Sequence, residues 1–186
     1  MKNYLAGQKQ QAQNYFSFSA EFIGVTLTIL TLLWSFNKNI PAVSYMLIIA
    51  FVFYVNNVAI NSKIVHEVDD GDIKDMNQLN PWVSFAENTY SVASTLVLTS
   101  FMVIFYSAMS EDAIGASIFL LVVWLLLGIY RIVRGKVNKT KASSKYETAK
   151  RRIFSMKTLF YFFEIGFLAL IWLDYYNILD WIDPLF

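Results

Sequence analysis

Residues 119–128 read FLLVVWLLLG, ten consecutive positions without a charged side chain. They form the middle of a longer apolar run, 113–133, which lacks the polar face that a helix in a soluble bundle carries. A hydrocarbon core of about 30 Å is crossed by about 20 helical residues at about 1.5 Å each. The run 113–133 therefore predicts a transmembrane helix.

The composition of the whole chain agrees with a membrane protein. Hydrophobic residues make up 56% of the 186 residues and charged residues 16%, against about 25% charged residues in soluble domains. The chain contains no cysteine and one histidine. This excludes a disulfide framework and a zinc centre built from His and Cys ligands.

Four further apolar runs are long enough to cross a bilayer, at about 17–36, 41–60, 83–109 and 158–176. Asn80 and Pro81 precede the third run as a predicted N-cap and first helical residue. We therefore predict an all-α, polytopic integral membrane bundle of about five transmembrane helices, forming one domain over 1–186 with no soluble domain. The alternative has four full spans and one weaker segment that lies in the membrane interface.

Basic residues predict the orientation of these spans. Of the 15 lysines and arginines, 10 lie between Arg131 and Lys157, and such residues concentrate on the cytoplasmic side of a membrane. Five spans then place 14 basic residues inside and one, Lys38, outside. The prediction is a protein of the plasma (inner) membrane with a cytoplasmic N-terminus, cytoplasmic loops at about 61–82 and 134–157, and an external C-terminus.

Two polar stripes follow one face of a predicted helix each. In the first span the spacing of small or polar residues is 4, 3, 4, 3 and 4, a period that favours a left-handed contact between helices. These residues are Ser17, Glu21, Gly24, Thr28, Thr31 and Ser35. The third span carries a similar stripe of Ser84, Glu87 or Asn88, Ser91, Thr95 and Thr99. Either stripe can be a packing seam, including one between copies of the chain in a homo-oligomer, or the lining of a hydrated path.

Acidic residues within the apolar runs are the candidates for an intramembrane site. Glu164 lies about 9 Å into the fifth span, and Glu21 lies about one turn into the first. An ionised carboxylate at mid-bilayer costs about 2.5 to 3.5 kcal/mol, so Glu164 should be protonated, paired or facing water. The predicted polar cluster comprises Glu21, Asn56, Asn57, Glu87, Arg131, Arg134 and Glu164. It is either a structural hydrogen-bond network or a site that handles ions or protons.

The second predicted cytoplasmic loop is strongly basic. Its candidate docking residues are Lys136, Lys139, Lys141, Lys145, Lys150, Arg151 and Arg152. Anionic lipid headgroups attract such a segment by about 1 kcal/mol per charge near the surface, and an acidic cytosolic protein is the alternative partner. Direct binding of nucleic acid is not expected, because Tyr146 is the only aromatic residue between Lys136 and Arg152.

Motifs for catalysis and cofactor binding are missing from the sequence. It contains no G-x-S-x-G, H-E-x-x-H, P-loop or G-x-G-x-x-G pattern. The acidic stretch 66–72 does not fit a calcium loop. With Gly71 at loop position six, Val68 falls at position three and Asn77 at position twelve, where a bidentate glutamate is needed. We expect no enzymatic activity, no cofactor and no metal site.

These observations favour a small oligomeric membrane protein that acts as an anchor or sensor and docks a cytosolic partner through its cytoplasmic loops. Membrane subunits of bacterial envelope-stress or phage-defence systems are an analogy in size and architecture. The alternative function is an ion channel or ion-coupled transporter that works through Glu21, Glu164 and the two polar stripes.

Overall fold

The computed structural model describes residues 2–35, 40–71, 76–108, 112–139 and 147–179. Within these ranges the chain forms five α-helices and no strand, so the prediction of an all-helical fold is confirmed. The helices are α1 (Lys2–Ser35), α2 (Pro41–Asp69), α3 (Met76–Ala108), α4 (Ala113–Lys139) and α5 (Glu147–Tyr175). Three segments among the described residues are long and apolar enough to cross a bilayer: Leu5–Ser35, Pro41–Asp69 and Gln78–Ala108. Ala113–Leu126 is a shorter apolar helical segment.

The helices extend beyond the predicted spans. α1 begins at Lys2 instead of residue 17, and α2 ends at Asp69 instead of residue 60. The segment 61–82, predicted as a loop, is helical over 61–69 and 76–82, and the predicted loop 134–157 is helical at both ends. In α1 and α2 the added turns contain buried apolar side chains such as Ala12 and Ile64. Packing therefore continues the helices past the ends of the uncharged runs.

The start of α3 differs from the sequence prediction. α3 begins at Met76 and Pro81 lies inside it, so the predicted N-cap at Asn80 is wrong. Proline lacks an N–H and removes one intrahelical hydrogen bond. Burial offsets this loss, because Leu79 is completely buried and Trp82 packs against the same apolar cluster.

The acidic stretch 66–72 contains a helix end and a tight turn. The Asp70 N–H donates a hydrogen bond to the His66 carbonyl oxygen at 2.9 Å. Gly71 follows with φ +77°, a left-handed conformation that glycine adopts at little steric cost. These backbone features terminate α2.

The chain forms two compact units, Met1–Ser100 and Phe101–Phe186, whose boundary falls within α3. The first unit contains α1, α2 and α3 as far as Ser100. Tyr54 is completely buried in its core. The Tyr54 ring stacks on Phe22 at a centroid distance of 5.4 Å and meets Tyr90 edge-on at 5.9 Å. These aromatic contacts join all three helices of the first unit.

One part of the first unit is an apolar cluster that we call the three-helix extension. Its buried members are Ala12, Ile60, Ile64, Leu79 and Ala86, and its partly buried members are Leu5, Val65, Val68, Trp82 and Val83. Most of these residues lie outside the predicted spans of their helices. Lys9 Nζ also contacts Asp69 Oδ1 at 2.6 Å and links α1 to α2. The three helices thus continue past the predicted spans as a packed bundle.

The second unit contains the end of α3 together with α4 and α5. Its buried apolar residues include Met102, Val103, Tyr106, Ala113, Ala116, Leu120 and Ile171. The Phe105 ring of α3 stacks on Phe119 of α4 at a centroid distance of 5.8 Å. The small side chains at the start of α4 allow close packing of this unit.

Large apolar side chains cover the outer faces of several helices. On α4 the exposed ones include Ile114, Ile118, Leu121, Val122, Leu125 and Leu126. A soluble monomer rarely exposes a contiguous apolar patch of this kind, whereas lipid tails would cover it in a bilayer. This distribution is compatible with a membrane protein.

Candidate functional site

The centre of polar contacts in the first unit is Asn57, which is 0% exposed. Ser19 Oγ of α1 donates a hydrogen bond to Asn57 Oδ1 at 2.8 Å. Asn57 Nδ2 donates to the Ala86 carbonyl oxygen at 2.5 Å and to Thr89 Oγ1 at 3.0 Å, both on α3. Asn61 Nδ2 donates to Asn57 Oδ1 at 2.8 Å. One side chain of α2 therefore connects all three helices of the unit.

The Asn57 amide has no unused hydrogen-bonding capacity. Its nitrogen carries two donors and its oxygen accepts two hydrogen bonds, and each has two partners. A buried polar group with all its partners satisfied fixes the relative positions of the elements that supply them. Three of these hydrogen bonds connect α2 to α1 and α3 at one side chain.

Tyr54 adds a second polar contact one helical turn from Asn57. Its hydroxyl lies 3.2 Å from Ser94 Oγ of α3. The buried aromatic ring thus has a hydrogen-bond partner for its polar end, as buried tyrosines usually do.

Glu164 of α5 is buried, with 5% exposure. Trp124 Nε1 of α4 donates a hydrogen bond to Glu164 Oε2 at 2.6 Å. The Trp124 ring also contacts Tyr161 edge-on at a centroid distance of 5.5 Å. An indole nitrogen can only donate a hydrogen bond and a carboxylate oxygen can accept one, so the two groups satisfy each other on an apolar helix face. The side chains of Arg131 and Arg134, the predicted partners of Glu164, lie outside the described residues.

Two further side-chain contacts join the elements of the second unit. The Tyr106 hydroxyl of α3 donates to Asp174 Oδ2 at 3.0 Å. Trp172 Nε1 of α5 donates to Ser117 Oγ of α4 at 3.1 Å. Together with Trp124 and Glu164, these contacts place three aromatic donors on polar acceptors within one small unit.

The other predicted cluster members lie in different environments. Glu21 is exposed on α1 and has no hydrogen-bond or ion-pair partner among the described residues. Glu87 is half-buried and accepts a long hydrogen bond from Gln11 Nε2 at 3.4 Å. Asn56, next to Asn57, is half-buried. Of the predicted cluster, Asn57 and Glu164 are the buried members with assigned partners.

The predicted seam of the first span lies on the exposed face of α1. Ser17, Gly24, Thr28, Thr31 and Ser35 are all exposed in the single chain. The Thr28 and Thr31 hydroxyls donate to carbonyl oxygens one turn earlier in their own helix, at 2.9 and 2.8 Å. Their polar groups are therefore satisfied without a neighbour. Burial of this seam against another copy of the chain stays a prediction.

The opposite face of α1 contacts the rest of the first unit. Its buried residues are Ala12, Ser19, Thr26 and Leu30. They recur at nearly the same period as the predicted seam, but on the other side of the helix.

The polar stripe of the third span runs from the surface into the first unit. Ser84 is exposed, whereas Thr95 and Thr99 are buried. Ser91 Oγ donates to the Glu87 carbonyl oxygen at 2.7 Å and Thr99 Oγ1 to the Thr95 carbonyl oxygen at 2.9 Å. These hydroxyls are satisfied by their own helix, as expected for a stripe that packs against neighbours.

The predicted docking side chains of the basic segment, from Lys136 to Arg152, lie outside the described residues. The charges near the three-helix extension are described. Lys63 lies 3.4 Å from Glu67 and over the Trp82 ring at 4.5 Å from its centroid. This part of the surface therefore presents both signs of charge.

Several residues of these networks were not identified from the sequence. Ser19 and Thr89 do not belong to either polar stripe that the sequence shows. Tyr106 and Trp124 are aromatic residues within apolar runs, where such residues are common. Trp124 did carry a signal, because a tryptophan in the middle of an apolar span needs an acceptor for its N–H. Asp174 lies near the end of the predicted fifth span, and the sequence suggested no role for it.

The described residues contain no group of three or more His, Asp or Glu side chains that could hold a metal ion. Comparison with protein-family models, with curated proteins and with solved structures finds no match to this chain.

Proposed function

We propose that this chain is a multi-pass membrane anchor or sensor whose three-helix extension and basic segment dock a cytosolic partner. The observation that carries the proposal is the extension itself, where α1, α2 and α3 remain packed beyond their predicted spans. A protein that only had to cross the bilayer would gain little from these additional helical turns. A rigid projection of three helices is a suitable surface for a partner.

The proposed topology has five spans, with the extension on the cytoplasmic side. The distribution of basic residues supports this orientation. In this arrangement the extension and the segment from Lys136 to Arg152 lie on the same side of the membrane, where a cytosolic protein or anionic lipid can reach both. The seam of α1 is then available for assembly with further copies.

An ion channel or ion-coupled transporter is the second candidate function. One observation favours it, the buried carboxylate of Glu164 within an apolar helix, because such groups often mark ion or proton pathways. The Trp124 contact provides an alternative, structural reason for this carboxylate.

Site-specific photocrosslinking in cells tests the anchor function. A crosslinking amino acid at Ser62, exposed on α2 beside the extension, should give a discrete adduct with a cytosolic protein. The matched control is Val52, which is exposed on the same helix within a predicted span. It should give adducts only with lipid or with the chain itself. Equal protein adducts at both positions, or none at Ser62, would contradict partner docking at the extension.

Flux measurements on purified protein in lipid vesicles test the channel function. We expect vesicles that contain the wild-type chain to remain tight to protons and potassium. Flux that disappears in Glu164→Gln would favour the channel or transporter, because the substitution removes the charge and keeps the shape of the side chain.

A further inference from the structure

A small pocket that is partly open to the surface is lined by α1, α2 and α3 beside the three-helix extension. Its volume is about 10 Å³, and its polar lining residues include Gln8, Gln11, Asn61 and Glu87. One water molecule needs about 10 to 15 Å³ of such volume and two to four polar partners. The volume is therefore large enough for one water molecule or one small ion and too small for a larger ligand.

The side-chain oxygen of Gln8 indicates that a further molecule or ion binds here. Its side-chain oxygen Oε1 is buried and has no hydrogen-bond partner among the residues that the structure describes. A buried acceptor without a donor destabilises the folded chain, and native proteins nearly always satisfy such atoms. A hydrogen-bond donor or a cation would satisfy this oxygen.

The remaining lining groups also need a donor. Both N–H groups of the Asn61 amide are committed to Asn57, so its unused group is an acceptor oxygen. The Glu87 carboxylate has one long hydrogen bond from Gln11 and retains further acceptor capacity. Water has two hydrogens to donate, and it can accept a hydrogen bond from an amide such as Gln11 in return.

We propose that this pocket holds one ordered water molecule that bridges Gln8 Oε1 of α1 to Asn61 of α2 or Glu87 of α3. The first turns of α1 are then attached to the bundle through this water, the Lys9–Asp69 ion pair and the apolar contacts of Leu5 and Ala12. This goes beyond docking of a partner, and it holds whether or not the anchor function is correct.

A crystal structure of the full chain grown from a lipid phase tests the site directly. We expect one density peak about 2.5 to 3.0 Å from Gln8 Oε1, the distance of an O–H···O hydrogen bond. Crystals soaked in a thallium salt should show no anomalous signal at this peak. Absence of the peak would overturn the proposal, and a thallium signal would replace the water with a monovalent cation.

Substitution of Gln8 tests the same site by the direction of a stability change. If water bridges Gln8 to its neighbours, Gln8→Met removes the bridge and should lower the melting temperature of the solubilised chain by several degrees. If Gln8 Oε1 is unsatisfied and the pocket dry, the same change removes a penalty and raises the melting temperature. An unchanged or raised value overturns the proposal. Gln13→Met, at an exposed position of the same helix, is the control and should have no effect.

Discussion

At the scale of single residues, the strongest determinant of this structure is an amide in the middle of α2. The Asn57 side chain forms four hydrogen bonds, and its partners lie on three helices. An apolar residue of similar size would leave Ser19 and Thr89 without this partner in a buried position. The register of the first unit therefore depends on one side chain, and its neighbour Asn56 provides a natural comparison.

Asn57→Ala should destabilise the solubilised chain by about 1 to 3 kcal/mol, because it opens a cavity and leaves buried polar groups unmet. Asn56→Ala, at the adjacent half-buried position, should change stability by less than about 0.5 kcal/mol. Thermal or denaturant unfolding of the two variants measures the difference. Equal effects would show that the Asn57 contacts do not stabilise the folded chain.

Glu164 also belongs to the residue scale, and its partner Trp124 gives the prediction a matched test. Glu164→Gln should be nearly silent in unfolding experiments, because the amide oxygen can still accept from Trp124 Nε1. Glu164→Leu should cost about 1 to 3 kcal/mol by leaving that N–H unmet. Trp124→Phe in the Glu164→Leu background should then add little beyond the loss of ring packing, whereas fully additive losses would argue against the contact.

At the scale of helices, the uncharged runs predicted one end of each helix to within about one residue and missed the other end by several residues. α2 continues to Asp69 through Lys63 and Glu67 because its apolar face, with Ile60 and Ile64, remains covered. Local signals at Asn80 and Pro81 were overridden by the burial of Leu79 in the same way. A hydropathy window does not detect tertiary packing, and the helix ends on the predicted cytoplasmic side were therefore misjudged.

The candidate site was predictable in part for a related reason. The sequence marked Asn57 and Glu164 because polar groups stand out in apolar runs. Their partner Ser19 was not marked, because serine is common in spans. The N–H of Trp124 indicated that an acceptor is needed, but the sequence does not show on which helix that acceptor lies. A single sequence contains no information on which helix faces meet.

The exposed seam of α1 allows a test of assembly that leaves the fold intact. A side chain added at Gly24 meets no atom within 4 Å in the single chain, so Gly24→Leu should unfold at the wild-type temperature. If the seam joins copies of the chain, the same variant should shift to smaller species on sizing.

Thr26→Leu is the control on the opposite face of α1. Thr26 is completely buried, and a larger apolar side chain there should lower stability by about 1 to 3 kcal/mol. A Gly24→Leu variant with unchanged oligomer size would show that the seam does not mediate assembly.

At the scale of the whole molecule, the proposed five-span topology can be tested by labelling in cells. The natural chain has no cysteine, so a single introduced cysteine can be labelled without background. In intact cells a membrane-impermeant reagent should modify Asp183→Cys and spare Ser143→Cys, since 14 of 15 basic residues then lie inside. Both positions should react after the membrane is permeabilised. Labelling of both in intact cells, or of neither, would contradict five spans.

The three-helix extension also has a consequence for biosynthesis. Ala12 of α1 packs in the same cluster as Ala86 of α3, yet the ribosome adds more than seventy residues between them. At about 5 to 20 residues per second this interval lasts about 4 to 15 seconds. During that time the first turns of α1 lack their neighbours on α3. The extension can therefore be completed only after α3 has been synthesised.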